Sequence, residues 1–209
     1  TIIVNNEKST ISDSIIEFSD VSKSSGGVEI KCAGDHKIQF TKFIRTVVDG
    51  ILYKLPKAGN DKKISITDCI FDACTSSAIY RVLLLSLNHQ FELRNNTFQN
   101  TQYGNLGISI ITKDLDKINI ESCTFINNSM SYTDNIEDCS GGCGIFITRE
   151  NRNVDQYRLP FNICYSNCEW INNSVDKPSG GGGIQVGKGS LSNIGLTFDK
   201  CTFEENKAL

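Results

Sequence analysis

One unit of sequence recurs along this chain at nearly constant spacing, and that periodicity constrains the fold more than any other feature. The unit is an apolar pair two residues apart, a column residue three further on, an aromatic two after it, and a closing residue three later. Its best copies read Ile64-x-Ile66-x-x-Cys69-x-Phe71-x-x-Cys74, Ile118-x-Ile120-x-x-Cys123-x-Phe125-x-x-Asn128, Ile163-x-Tyr165-x-x-Cys168-x-Trp170-x-x-Asn173 and Leu196-x-Phe198-x-x-Cys201-x-Phe203-x-x-Asn206. A fifth, Phe91-x-Leu93-x-x-Asn96-x-Phe98-x-x-Thr101, carries Asn in the Cys column. Two weaker copies are read upstream as Ile38-x-Phe40-x-x-Phe43-x-Arg45-x-x-Val48 and Ile11-x-Asp13-x-x-Ile16-x-Phe18-x-x-Val21. The copies begin at 11, 38, 64, 91, 118, 163 and 196, so the steps are 27, 26, 27, 27, 45 and 33 residues.

A second signal lies between the copies, where a small residue precedes an apolar pair: Gly27-Val28-x-Ile30, Gly50-Ile51-x-Tyr53, Ala78-Ile79, Gly107-Ile108-x-Ile110, Gly144-Ile145-x-Ile147 and Gly183-Ile184-x-Val186. Each period therefore holds at least two short strands and a corner. Alternation puts Ile64 and Ile66 on one strand face, and a unit of about 27 residues cannot bury that face alone. Stacking unit on unit solves the problem, at about 4.8 Å per level and on the order of 30 Å for seven levels. The expectation is an all-β chain folded as one domain over 1–209, a right-handed parallel β-helix of about seven coils. The hand follows from the rule for parallel crossovers. A leucine-rich repeat would need L-x-x-L-x-L-x-x-N, which Ile, Cys and the register of the aromatic do not supply. The extra length falls between Ile118 and Ile163 and predicts two outward loops, 129–140 and 149–160.

In a stacked fold Cys69, Asn96, Cys123, Cys168 and Cys201 line one inward column, and Phe71, Phe98, Phe125, Trp170 and Phe203 line another. Cysteine serves in the first as a small apolar filler. The chain has 9 cysteines, so at least one stays unpaired within it. Neighbouring coils bring Cys123 and Cys168 within bridging range of each other, whereas Cys69 and Cys123 stand two coils apart. The pairs Cys139/Cys143 and Cys164/Cys168 lack the spacing of a zinc site, and no metal or cofactor is expected. Asn128, Asn173 and Asn206 share the closing position and can bond along the rod from coil to coil. The runs Gly141-Gly142 and Gly180-Gly181-Gly182-Gly183 precede strands and lack the Lys-Ser/Thr of a P-loop, so they are read as corners needing positive φ. Asn95, Asn127 and Asn172 head N-glycosylation acceptor triplets that the repeat itself generates.

Composition narrows the functional classes. Basic and acidic side chains number 21 and 24 for a net charge of −3, with no clustered Lys and Arg, which argues against nucleic-acid binding. The longest apolar run, Val82-Leu83-Leu84-Leu85, is far below the roughly 20 residues that span a bilayer. The last copy ends soon after its closing residue, at Lys207-Ala208-Leu209, without the glycine corner that follows Asn128 and Asn173. The chain is accordingly expected to be a fragment of a longer solenoid, and end-to-end self-association is a further expectation.

The Phe-x-x-Asn closings at Phe125 to Asn128, Trp170 to Asn173 and Phe203 to Asn206, with Gly141-Gly142-Cys143-Gly144-Ile145 and Gly182-Gly183-Ile184, resemble the repeats of the polymorphic outer-membrane protein family. The match is clear over about the last 90 residues and departs from the family pattern before them. The resemblance implies a secreted or cell-surface module that adheres to a host-cell or neighbouring-cell protein or glycan, and it brings no catalytic residue. The expected binding residues are those of the two loops, Tyr132, Asp134, Glu137, Asp138, Arg149, Arg152, Asp155, Tyr157 and Arg158, together with an exposed sheet. The competing readings are a polysaccharide lyase or glycoside hydrolase of pectate-lyase-like fold and a structural rod or filament subunit. The enzyme reading needs two carboxylates facing one groove.

Overall fold

The computed structural model describes residues 2–6, 8–17, 28–30, 35–45, 51–53, 62–74, 79–84, 89–101, 106–110, 117–130, 145–149, 161–176, 183–186 and 194–208. Their regular structure is strand throughout, in three seven-stranded sheets and one of three strands. The first sheet takes Ile2–Val4, Val28–Ile30, Ile51–Tyr53, Ile79–Leu84, Leu106–Ile110, Ile145–Arg149 and Ile184–Val186. The second takes Lys8–Ser12, Asp35–Gln39, Lys62–Thr67, His89–Arg94, Lys117–Glu121, Phe161–Ser166 and Ile194–Asp199. The third takes Ile15–Glu17, Lys42–Ile44, Ile70–Asp72, Thr97–Gln99, Thr124–Ile126, Glu169–Ile171 and Thr202–Glu204. The small fourth sheet joins Ser129–Met130, Ser174–Val175 and Lys207–Ala208. Pairing is parallel, each strand bonding to its counterpart one repeat away, which is a solenoid arrangement consistent with a parallel β-helix.

Corners between the second and third sheets, and after the third, are made by single residues in the left-handed region. Among the described residues thirteen non-glycine residues have φ between 49° and 57°. One row runs Asp13, Phe40, Asp68, Asn95, Ser122, Asn167, Lys200; the other runs Arg45, Ala73, Asn100, Asn127, Asn172, Glu205. Asn and Asp tolerate this region because their short polar side chains bond locally. Ten of these corner residues also donate their N–H to the next level, as from Asn127 N to Ile171 O at 3.0 Å and Asn167 N to Asp199 O at 2.9 Å. The turn is made without losing a ladder bond.

The positive-φ reading of the glycine runs does not hold at Gly183, the one member described, whose φ is outside that region. A Cβ there would make ordinary van der Waals contact, 3.5 Å from the Phe203 ring and 3.6 Å from Trp170, so neither backbone conformation nor space requires glycine at this position.

The strand register corrects the two upstream copies. Ile38 pairs with Ile66 and His36 with Ile64, while Ser9 and Ile11 sit beside His36 and Ile38. The units therefore begin two residues earlier, as Ser9-x-Ile11-x-x-Ser14-x-Ile16 and His36-x-Ile38-x-x-Thr41-x-Phe43. Phe40 and Arg45, read as an apolar partner and an aromatic-column residue, are instead exposed corner residues. The physical reason is the ring column: Phe43, fully buried, stacks on Phe71 at 4.7 Å.

That column continues from Phe71 through Phe98 and Phe125 to Trp170 and Phe203, with centroid spacings from 4.5 to 5.4 Å and planes within 6°. The spacing is that of the strands themselves, so the rings stack because the backbone does. Beside them Tyr165 stacks on Phe198 at 5.0 Å.

The cysteine column has a chemical requirement beyond small size. Cys69, Cys123 and Cys168 are buried, and Cys201 is half-buried. Each Sγ lies near the carbonyl two residues before it and one from the preceding level: Thr67 and Ile38 O for Cys69 at 3.2 and 3.7 Å, Ser166 and Ile120 O for Cys168 at 3.4 and 3.5 Å. Ser14 and Thr41 donate to the equivalent carbonyls of Ser12 and Gln39. Asn96 donates from Nδ2 to Ile66 O at 2.8 Å and accepts from Cys69 N at 2.9 Å. Ser, Thr, Cys and Asn share a compact donor, and that is what the site selects. Cys123 and Cys168 are both free thiols, so the bridge considered for them is not formed. In-register neighbours project their Cβ–Sγ bonds side by side, whereas a disulfide needs them crossed near 90°.

At the closing position Asn128 and Asn173 are buried and form a ladder with Asn206. Each Nδ2 donates up the stack, from Asn128 to Asn173 Oδ1 at 2.9 Å and from Asn173 to Asn206 Oδ1 at 2.8 Å. The same amides donate to Phe98, Phe125 and Trp170 carbonyls, and their oxygens accept backbone N–H from the level before.

Candidate functional site

Strand alternation leaves every second residue of the second sheet pointing outward, and parallel register sets those residues side by side. The outward columns over the first four levels are Lys8, Asp35 and Lys63; Thr10, Lys37, Ser65 and Glu92; and Ser12, Gln39, Thr67 and Arg94. They border a groove of about 770 Å³ whose rim includes the corner residues Phe40 and Asp68. His36, buried, lies at its inner side with Nδ1 2.8 Å from Ser9 Oγ.

The groove's carboxylates are already engaged. Glu92 takes Lys63 Nζ at 2.8 Å and Ser65 Oγ at 3.0 Å, with Arg94 Nε at 3.9 Å. The Lys63 contact holds its carboxyl below the usual carboxylate range. Asp35 Oδ1 accepts the backbone N–H of Lys63 at 2.9 Å, and Asp68 Oδ1 accepts Asn95 Nδ2 at 3.1 Å. Among the described residues Lys8 and Lys37 make no ion pair. Lys37 stands between Thr10 and Ser65 in register, an ammonium flanked by hydroxyls. Among the described residues this face presents cations without an ion-pair partner, Lys8 and Lys37, and hydroxyl groups over a spacing of roughly 14 Å.

Of the loop residues expected to bind, Tyr132, Asp134, Glu137, Asp138, Arg152, Asp155, Tyr157 and Arg158 lie outside the described residues. Arg149 is the last residue of a strand, paired in register with Ile110, and Ser129 likewise belongs to a strand rather than to a loop. Asn95, Asn127 and Asn172 are exposed at corners, and Asn172 Nδ2 donates to Asn127 Oδ1 at 2.8 Å. Cys164 and Cys168 fall on opposite faces of the chain, Cys164 in the outward row with Asn119 and Thr197. Among the described residues no group of three His, Cys, Asp or Glu side chains is placed to hold a metal ion, and no helix is long and apolar enough to cross a membrane.

Lys37, Lys63, Ser65, Glu92 and Arg94 were not singled out from sequence. They occupy the unspecified positions between and beside the apolar pairs, and reading those positions in register is the signal that finds them. Comparison with protein-family models, with curated proteins and with solved structures gives no match.

Proposed function

We propose that this chain is a non-enzymatic binding module of a secreted or cell-surface protein, built as a right-handed parallel β-helix of seven coils, whose second sheet receives a glycan or protein ligand. The observation that carries the reading is the groove beside Lys37, where the cations face outward and every carboxylate is tied into the rod. A hydrolase of this architecture needs one carboxylic acid that keeps its proton near neutral pH. Lys63 drives Glu92 the other way. Ammonium groups between hydroxyls suit a ligand bearing carboxylates or sulfates along a hydroxyl-rich chain. The adhesive role and the surface location rest on the resemblance to polymorphic outer-membrane protein repeats.

Binding to an array of acidic and neutral glycans, with Lys37→Ala and Lys63→Ala in parallel, tests the reading. Acidic glycans should be retained by the parent chain and lost by Lys37→Ala. Release of reducing sugars or unsaturated products from any polysaccharide would replace it with the enzyme reading.

A further inference from the structure

Phe40 departs from what the corners of this rod otherwise use. Among the described residues it is the one aromatic in the left-handed region, with φ 49°, in a row whose other members are Asp13, Asp68, Asn95, Ser122, Asn167 and Lys200. A side chain there brings its Cβ against the following carbonyl oxygen, and a phenyl ring has no polar atom to bond locally as Asn and Asp do. Packing does not offset the cost. The ring is 54% exposed although a level of the rod lies on each side of it, through the pairing of Gln39 with Ser12 and with Thr67. A conformational cost that the fold does not recover points to use of the ring by something outside the fold.

The surroundings of the ring define the chemistry of that partner. Phe40 borders the groove that holds Lys37, together with Gln39 before it and Asp68, its neighbour in the corner row. An exposed phenyl face takes an apolar face, while the polar groups beside it take hydroxyls. Asp68 accepts Asn95 Nδ2 on Oδ1, and a carboxylate accepts several donors at once. Gln39 is half-buried and supplies both an amide donor and a carbonyl acceptor. A pyranose ring combines these two requirements, with C–H bonds on its face and hydroxyls around its rim. Lys37 stands three residues before Phe40, about 10 Å along the strand Asp35–Gln39. A chain of sugars that touches both therefore lies across the rod and not along it.

We infer that Phe40 is the stacking platform for a pyranose ring, which makes the ligand of this groove an oligosaccharide. The inference rests on the binding reading given above, which supplies the charge contact at Lys37, and adds to it the residue that tells a glycan from other polyanions. Polyglutamate satisfies Lys37 equally well but brings no sugar face to Phe40.

Calorimetric titration of the 209-residue chain with hexasaccharides of galacturonate, of sulfated galactose and of neutral galactose, and with polyglutamate, reads the two contacts separately. Asn already occupies two corners of this row, so Phe40→Asn keeps the turn and should raise the urea midpoint. The same change should weaken the acidic hexasaccharides about tenfold. Phe40→Trp should retain them, and polyglutamate should respond to Lys37→Ala alone. Acidic hexasaccharide binding that needs Lys37 and is unchanged in Phe40→Asn overturns the inference and leaves the binding reading in place. Binding of the neutral hexasaccharide that is lost in Phe40→Asn and indifferent to Lys37→Ala upholds the platform and overturns the charged part of that reading. A lower urea midpoint for Phe40→Asn would show the ring to be packed into the fold and would overturn the inference. Failure of the parent chain to bind any of the three hexasaccharides overturns it together with the reading on which it rests.

Discussion

Asn128 gives its side-chain amide to Asn173 Oδ1 at 2.9 Å, and the same oxygen accepts the backbone N–H of Asn128 at 3.1 Å. One buried atom thus satisfies two donors of the level before it, while Asn173 Nδ2 serves Phe125 O at 2.9 Å. Asn173→Ala would remove all three of these bonds, leaving Asn128 Nδ2 with Phe98 O alone. At about 1 to 3 kcal/mol for each buried unsatisfied group, the loss should reach about 3 kcal/mol or more, read as a lowered urea midpoint. Asn173→Asp should also be destabilising because a carboxylate cannot donate to Phe125 O. Asn206→Ala, at the half-buried end of the ladder, should cost less.

The cysteine column separates two explanations by substitution. If a donor is what the site requires, Cys168→Ser should stay within about 1 kcal/mol of the parent, and Cys168→Val should lose more despite its better apolar match. Equal tolerance of Val, measured by the same denaturation, would return the column to simple space filling.

Burial pushes the Cys69 thiol up to about 11, against two backbone hydrogen bonds that lower it. Cys123 and Tyr165 are displaced upward by the same cause. A neutral acid with a raised folded value contributes its full stability below the unfolded value near 9.0 and loses it as pH climbs through the folded one. Stability should therefore be flat from pH 7 to about 9 and fall between about 9 and 11. Thiol labelling of Cys69 at pH 8 should proceed only after unfolding. Rapid labelling of the native chain would show the column to be accessible.

Glu92 behaves oppositely. Its folded value lies below the unfolded one because of Lys63, so its contribution is present above the unfolded value and vanishes as pH falls through the folded value. Lys63→Met should return the Glu92 titration, followed by carboxyl NMR shifts, toward that of an ordinary glutamate.

Tyr165 and Trp170 share one level, their rings edge to face at 5.5 Å, and among the described residues neither Tyr165 Oη nor Trp170 Nε1 has a hydrogen-bond partner although both are buried. Tyr165→Phe deletes a desolvated hydroxyl while keeping the stack on Phe198. It should raise stability by about 1 kcal/mol. A loss of stability instead would reveal a bridging water between the two groups.

How far the fold could be read from sequence depended on how many columns a repeat displayed. From Ile64 onward the apolar pair, the aromatic and the closing residue agree, and the strands pair in that register. Upstream, Ile38 and Phe40 imitate an apolar pair, and the pairing of Ile38 with Ile66, with Phe43 stacked on Phe71, shows the frame to be two residues off. The donor role of the cysteines was hidden because Ser14 and Thr41, which reveal it, fell outside the misaligned columns. The groove was less legible still. Lys63 and Glu92 are 29 residues apart in sequence and meet only through strand register, at positions the repeat leaves free.

The spacing of 45 residues from Ile118 to Ile163 produces the same residue-for-residue pairing as the 27 from Phe91 to Ile64. Contour length around a level is thus independent of the lattice that the levels form. Chain added between Met130 and Ile145, or between Arg149 and Phe161, enters and leaves at fixed strand ends. The register of the flanking strands is therefore held by the stacked rings and the bonded amides of the levels themselves, and not by the number of residues that separate one level from the next.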